Sequence, residues 1–394
     1  MGLVVRKERQ IELLERVANA GEQLQGLYGQ SSMVGDAAAY VDPDRFVIEQ
    51  SVLFRDGPVF FGMSADLSDP GSWRAMRFDG IPLVVVRQAD GSLRALVNIC
   101  RHRGASLVDP LGSGTGLRAF SCPYHAWTYE LDGALRARPA AQNAFDDVAM
   151  NCDLMSRPVA EKYGLIFVRP GGGEPIDIDV ALGGAQDDLE AFGLDTYVQI
   201  DSRQCEWDFN WKFLFDTFAE TYHIRTLHRK TLGGMFHSES IFEPFERNLL
   251  LIGLRTEVRD EFAKPHDERS LLPYGTIQYF LVPSGLIVHQ LDHLEVWNIE
   301  PLDVGRTRLT TSVYAPAEPP SEGSRQYFVK NLELLLQVTG TEDFPLIEEV
   351  QRNLASGVLE HMVYGKIEPA LTHFHREVNK AIEAAHHAME STLT

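Results

Sequence analysis

The strongest constraint on what this chain can fold into is a pair of short segments, Cys100-Arg101-His102 and Cys122-Pro123-Tyr124-His125. Each offers one thiolate and one imidazole at close spacing, so a fold that brings them together provides two sulfur and two nitrogen ligands. Such a set suits zinc or an iron–sulfur centre. The order is cysteine then histidine in both halves, which lets a two-iron cluster take both sulfurs on one iron and both nitrogens on the other. Zinc sites with two Cys and two His usually group Cys with Cys and His with His, which this pattern does not. The bland alternative, buried cysteines beside unrelated histidines, requires the same Cys–His coincidence twice in one short stretch.

Both segments stand at the ends of predicted strands. Residues 82–87 and 93–99 flank Ala89-Asp90-Gly91-Ser92, where Asp-Gly is a strong hairpin signal, and the second strand runs directly into Cys100. Residues 118–121 read as a strand delivering Cys122, 127–135 as another hairpin, and 163–168 as a closing strand. A small antiparallel domain over residues 45–170 would hold the two loops rigidly against each other. Pro170-Gly171-Gly172-Gly173-Glu174-Pro175 has no side chain able to build a core and marks the boundary. Ahead of this domain, Ile11, Leu13, Leu14, Val17, Leu24 and Leu27 recur at nearly helical period within residues 3–28, an amphipathic helix. Residues 1–44 are expected to form a helical segment packing on the domain that follows the boundary, residues 171–394, and residues 44–62 a short helix leading into a strand.

Residues 171–394 have a different character. Residues 185–192 are helical, 197–206 strand-like, and 211–227 read as a long aromatic-rich helix. Residues 248–258, 276–282, 285–291, 293–300 and 306–314 then alternate apolar and polar side chains with turns between, as an antiparallel meander does. Residues 316–321 are a loop, and everything from Glu322 reads as helix. Strands curving around a long terminal helix give an α+β domain with an internal cavity. Within the aromatic-rich helix, His223 and His228 are five apart, slightly more than one helical turn, so a loosened helix lets them converge on one ion. Two imidazoles and one carboxylate form the facial triad of non-haem iron(II) oxygenases. His-x4-His alone is weak evidence, and the carboxylate has to come from elsewhere. Thr341-Glu342-Asp343 is the best place to look, although Thr341 or Asp343 as a helix N-cap accounts for it equally well.

Composition sets the outer limits. An apolar fraction of 44% and a charged fraction of 23% in 394 residues are those of an ordinary soluble protein, and a net charge of −20 disfavours nucleic acid as a partner. No apolar run approaches the ~20 residues of a membrane helix, and the N-terminus lacks a signal-peptide core, so no membrane association and a cytoplasmic location are expected. Four cysteines are too few for a disulfide scaffold, which leaves Cys152 and Cys205 as reduced core residues.

These residues together resemble a known family, the large (α) subunits of Rieske non-haem iron oxygenases, which include aromatic-ring-hydroxylating dioxygenases, monooxygenases and demethylases. The likeness extends from about Phe46 to about Val378. Cys100-x-His102 with Cys122-x-x-His125 matches the cluster motif, joined by Arg101, Arg103-Gly104 and Trp127. Asn210-Trp211-Lys212 followed by Glu220-x-Tyr222-His223-x4-His228 matches the mononuclear-iron motif, and Glu342-Asp343 with Glu348-x-x-Gln351-Arg352 the segment that carries the third ligand, Asp343. The resemblance implies a small antiparallel β Rieske domain joined to a helix-grip catalytic domain, antiparallel sheet around a long C-terminal helix, assembled as a homotrimer. It implies a 2Fe-2S Rieske cluster on Cys100, His102, Cys122 and His125, and a mononuclear Fe(II) on His223, His228 and Asp343. It further implies that Glu220, where many members carry Asp, bridges His223 to the His102 or His125 of a neighbouring subunit. Asp216 is a candidate catalytic residue near the iron, with a surface or capping role as its alternative, and Thr217 replaces a frequent Asn.

An oxygenase of this kind takes electrons from an NAD(P)H-dependent reductase, directly or through a ferredoxin, since no nucleotide-binding glycine motif is present here. It hydroxylates, dihydroxylates or oxidatively demethylates a small organic substrate with dioxygen. An aromatic compound is the default and a quaternary or methylated amine the alternative. From other classes come a Rieske electron-transfer protein with a non-catalytic ligand-binding domain, and a zinc-stabilised binding protein.

Overall fold

The computed structural model describes residues 6–139 and 144–393. Contacts divide it into two compact units, Gln50–Ala181 on one side and Met1–Glu49 with Leu182–Thr394 on the other. The first division falls after Glu49 for a physical reason. The Glu49 carboxylate is buried and accepts hydrogen bonds from Trp211 Nε1 at 2.9 Å and Lys212 Nζ at 2.6 Å, which ties the helix Pro43–Glu49 to the larger unit.

The Gln50–Ala181 unit contains a five-stranded sheet and two three-stranded ones. The expected hairpin is present as Ile81–Arg87 and Leu93–Val97, with Leu83 opposite Val97 and Arg87 opposite Leu93. Its turn is closed by Ser92 N donating to Asp90 Oδ1 at 2.9 Å, and Gly91 takes φ 85°, a conformation open to glycine at little cost. Leu83, Val84, Val85 and Val86 are all fully buried, so this strand is covered on both faces. The smallest sheet, Phe120–Ser121, Thr128–Tyr129 and Leu135–Ala137, carries the second Cys–His loop.

The larger unit is built on a seven-stranded antiparallel sheet. The five meander strands are Asn248–Arg255, Gly275–Leu281, Gly285–His289, Leu294–Asp303 and Arg306–Ala315. Val198–Trp207 adds one edge and Phe236–Phe245, absent from the sequence expectation, the other. Exposure of Cys205 follows from its place on that first edge strand, which corrects its expected core position; Cys152 is buried. The C-terminal segment is not continuous helix. Helices Glu322–Val338 and Phe344–Ala355 are separated by a π-helical turn, Thr339–Asp343, and a strand, His361–Tyr364, pairs with Met33–Asp36 before the final helix Pro369–Leu393. That last helix buries Ala370, Leu371, Phe374, Val378 and Ile382 along one stripe. Phe374 stacks on Phe215 at 4.8 Å and meets Trp211 edge-on at 5.9 Å.

The N-terminal helix Lys7–Asn19 buries Leu13, Leu14 and Val17. The expected helical start at residues 3–5 lies outside the described residues. Arg9 and Arg16 both bond Glu243, and Gln10 Oε1 accepts from Ser270 Oγ at 2.9 Å and Leu271 N at 3.1 Å, so this segment packs on the larger unit. Among the described residues no helix is long and apolar enough to cross a membrane.

Candidate metal centres and cavity

The two Cys–His loops of the smaller unit share one local design. Gly104 N donates to Cys100 O at 3.0 Å and Ala126 N to Cys122 O at 2.9 Å, each closing a turn on its cysteine. Both closing residues have positive φ, 80° for Gly104 and 56° for Ala126. The turns bend the chain so that Cys and His side chains emerge on the same side. Cys100 and Cys122 are buried, and the His102 and His125 rings meet at 4.7 Å. Trp127 stacks flat on His102, centroids 4.9 Å apart and planes 6° from parallel. His102 Nδ1 is buried with no hydrogen-bond partner, as suits a lone pair reserved for a metal. Burial, then His125 and Arg103, hold the His102 pKa below its usual value and keep the ring neutral. The Tyr129 hydroxyl accepts from Arg101 N at 3.1 Å and sits 3.3 Å from Cys100 Sγ. Burial and that sulfur keep the phenol protonated, so it donates to the cysteine. Two thiols and two imidazoles in this setting fit a 2Fe-2S centre with sulfur on one iron and nitrogen on the other.

In the larger unit the expected long helix is broken. Helix Lys212–Phe218 stops, a turn follows, and a single helical turn, Ile224–Leu227, is bracketed by His223 and His228. The break supplies the loosening that a spacing of five requires. Asp343 arrives from the π-helical turn: its Oδ1 lies 3.6 Å from His223 Nε2 and 3.1 Å from His228 Nε2, is buried, and makes no hydrogen bond. The three ligand atoms fall within 4.8 Å of one another. Asp343 is therefore no N-cap, since no side-chain capping bond is present. A π turn inserts one residue into the helical ladder and so re-aims side chains. Thr339 Oγ1 bonds Leu335 O at 2.9 Å and Thr341 Oγ1 bonds Gln337 O at 2.7 Å, competing with the backbone ladder where the helix widens.

A carboxylate stands behind each imidazole. Glu220 bonds His223 Nδ1 and also accepts from His223 N at 3.1 Å, while Glu342 lies 2.7 Å from His228 Nδ1 and accepts from Thr231 Oγ1 at 3.1 Å. Carboxylates at both Nδ1 atoms place the ring protons there and turn both Nε2 lone pairs toward Asp343. Three converging electron-rich atoms repel unless a cation joins them, so the set fits iron(II). Burial lowers the His228 pKa, and the Asp343 and Glu342 carboxylates raise it further than burial lowers it. The same bond to His228 holds Glu342 below the usual carboxylate range. The sequence holds no sign that Glu342 supports His228 beyond the acidic pair Glu342-Asp343 itself.

Asp216 has a role that the sequence did not suggest. It is absent from the walls of the iron cavity and instead bonds Tyr40 Oη and, at 2.8 Å, His375 Nε2. Tyr40 Oη is also 2.9 Å from Tyr364 Oη. The Asp216 side chain thus joins the N-terminal segment to the last helix in a buried polar network, and is neither a surface group nor a cap. Thr217 does line the cavity, with its hydroxyl tied to Phe213 O at 2.7 Å.

His223, His228 and Asp343 open onto a cavity of about 470 Å³ between the sheet and the helix Glu322–Val338. Phe218, Ile224, Val288, Leu291, Leu335 and Val338 give it an apolar wall.

Residues 58–156 match the Rieske [2Fe-2S] domain family, and residues 194–384 match the ring hydroxylating alpha subunit family, catalytic domain. The glycine betaine monooxygenase oxygenase subunit of Chromohalobacter salexigens is 29% identical over 207 residues, 52% of this chain and 45% of that protein. Putrescine 2-hydroxylase of Ralstonia nicotianae is 26% identical over 296 residues (71% and 76%), and chloroplastic choline monooxygenase of Amaranthus tricolor 24% over 344 residues (85% and 75%). The match thus spans less than half of the first relative's length and about three quarters of the other two. A quaternary ammonium Rieske monooxygenase solved with L-carnitine superposes with TM-score 0.73 at 21% identity, over 88% of this chain and 94% of that one. Naphthalene 1,2-dioxygenase with indole bound gives 0.71 at 17%, over 89% and 92%. At such identities the structures speak for the fold. Two family matches in order along one chain, each covering one of the two metal-binding sets, establish that this chain belongs to the Rieske non-haem iron oxygenases, with a 2Fe-2S Rieske domain and a mononuclear-iron catalytic domain.

Proposed function

We propose that this chain is the oxygenase subunit of a monooxygenase that oxidises a small amine, in place of the aromatic compound expected by default. The observation that carries the catalytic reading is the convergence of His223, His228 and Asp343 on the wall of a cavity large enough for a small organic molecule. Iron(II) bound there supplies dioxygen activation, with electrons from the Rieske cluster. Glu220 and Glu342 orient the two imidazoles, Asp343 gives the negative ligand, and the apolar wall keeps bulk water from the reacting carbon. The amine reading is supported by the relatives named above, whose own names give glycine betaine, putrescine and choline as substrates. Electrons enter from a separate NAD(P)H-dependent reductase, in a cytoplasmic homotrimer in which Glu220 links His223 to the His102 or His125 of a neighbouring subunit.

The test reconstitutes the enzyme with both metals and a surrogate reductase, then follows dioxygen consumption and products with quaternary ammonium compounds, methylated amines, diamines and aromatic acids. Amine-dependent consumption with a hydroxylated or demethylated product is expected, abolished in Asp343→Ala while the Rieske absorbance stays. Turnover of aromatic acids alone would sink the amine reading. Loaded enzyme that consumes no dioxygen with any compound would return the chain to electron transfer.

A further inference from the structure

The sheet side of the cavity carries polar groups that the iron site does not use. In the strand register Gln278 is opposite Val288 and Val288 is opposite Glu295, so the three stand side by side across adjacent strands, and all three line the cavity. Glu295 is 4% exposed. Its Oε2 accepts from Gln290 Nε2 at 3.3 Å, and its Oε1 is 3.6 Å from His293 Nε2, beyond hydrogen-bond reach. His293 Nδ1 is 2.7 Å from Asp292 Oδ1, and Asp292 also accepts from Tyr327 Oη at 2.9 Å. Gln278 Oε1, His293 Nε2 and Thr221 Oγ1 are all buried without a hydrogen-bond partner, in residues 7%, 5% and 3% exposed. Buried polar atoms without partners are costly, and three of them around one cavity mark a place built for polar groups of a ligand.

Charge narrows what that ligand is. Four carboxylates line the cavity, and Glu220 and Asp343 face the imidazoles of the iron site. Glu295 has no Lys or Arg partner among the described residues, and its nearest cationic candidate, His293, is shared with Asp292. Even as an imidazolium, His293 leaves this group of side chains with net negative charge. The cavity's arginine, Arg255, lies three strands away from the Glu295 strand and rests on the Phe236 ring at 5.4 Å. Glu295 and Asp292 both raise the His293 pKa, so one imidazolium is divided between two carboxylates. The buried negative charge left unbalanced is costly, and a cationic ligand offsets it.

We propose that Glu295 is the counter-ion for the substrate's ammonium group and selects a positively charged amine, quaternary or protonated, over a neutral molecule of the same shape. Gln278 Oε1 and Thr221 Oγ1 stand ready for a second polar group on the same molecule. This assignment rests on the amine function proposed above.

The test measures binding to the holoenzyme by titration calorimetry with two matched pairs, choline against 3,3-dimethylbutan-1-ol and putrescine against butane-1,4-diol. The wild type is expected to prefer the cation of at least one pair by about tenfold or more. Glu295→Gln should abolish that preference by weakening the cation and leaving the neutral compound unchanged, with iron content and Rieske spectrum intact. Glu295→Asp, which keeps the charge, should retain a preference and so separates charge from packing. Equal binding of cation and neutral compound by the wild type in both pairs, or a wild-type preference in Glu295→Gln, would overturn the assignment. Turnover measured on the same preparations separates the two readings. Amine turnover with undiminished preference in Glu295→Gln removes the counter-ion and leaves the amine function standing, whereas cation preference without amine turnover does the reverse.

Discussion

Glu342 shows how much a single side chain adds to a ligand set. Metal ligands are only as well oriented as the groups behind them, and Glu342 does for the candidate ligand His228 what Glu220 does for His223. Glu342→Ala should therefore raise the iron dissociation constant about 10–100-fold with the cluster untouched, read by iron titration of enzyme whose Rieske absorbance is intact. Glu342→Gln, which still accepts a hydrogen bond, should fall between. Unchanged affinity in the alanine variant would mean that Thr231 and the helical turn alone fix the ring. Glu220 is legible through the family resemblance, because the motif it belongs to is local and sets an acidic residue just ahead of His223. Glu342 is not, because its partner is 114 residues away. The Asp216 network with Tyr40, His375 and Tyr364 was hidden for the same reason.

At the level of elements, two irregularities make the catalytic centre. One is the break between Lys212–Phe218 and Ile224–Leu227, the other the π turn Thr339–Asp343. Apolar periodicity reads the first as one long helix and the second as a helix start, since neither a break nor a single inserted residue disturbs the pattern much. Removing the insertion tests its purpose. Deletion of Gly340 should return the ladder to α geometry and rotate Asp343 by about 100° relative to the preceding helix. The variant should fold, keep its Rieske spectrum and lose iron binding and turnover. Normal iron content would show that Asp343 reaches the imidazoles without the π turn. The hairpin before Cys100, by contrast, was legible because Asp90-Gly91 specifies its own turn chemistry locally.

For the molecule as a whole, each unit carries one candidate metal-binding set, and burial of His289 gives the larger unit a pH-dependent core. His289 is 1% exposed with both ring nitrogens unpaired, and burial, then His293, pushes its pKa down to about 4. The unfolded chain takes up this proton near pH 6.5 and the folded chain only near 4. His289 therefore contributes full stability above pH 6.5, and the contribution falls as pH drops toward 4, by on the order of 3 kcal/mol. His289→Leu should flatten that limb in chemical denaturation followed by tryptophan fluorescence from pH 7 to 4.5; an unchanged slope would place the acid sensitivity elsewhere. Cys100, His102, Cys122 and His125 are legible in the sequence as candidate cluster ligands because they lie in two local turns, and the meander and the His223–His228 pair are legible from local patterns of their own. Asp343 is named by the resemblance alone; the π turn that carries it to the two imidazoles, and the polar side chains that face the cavity, emerge only in the tertiary structure. The reason is physical: the strand Leu294–Asp303 is buried on both faces over most of its length, so no alternation of polar and apolar residues reveals that Glu295 points inward.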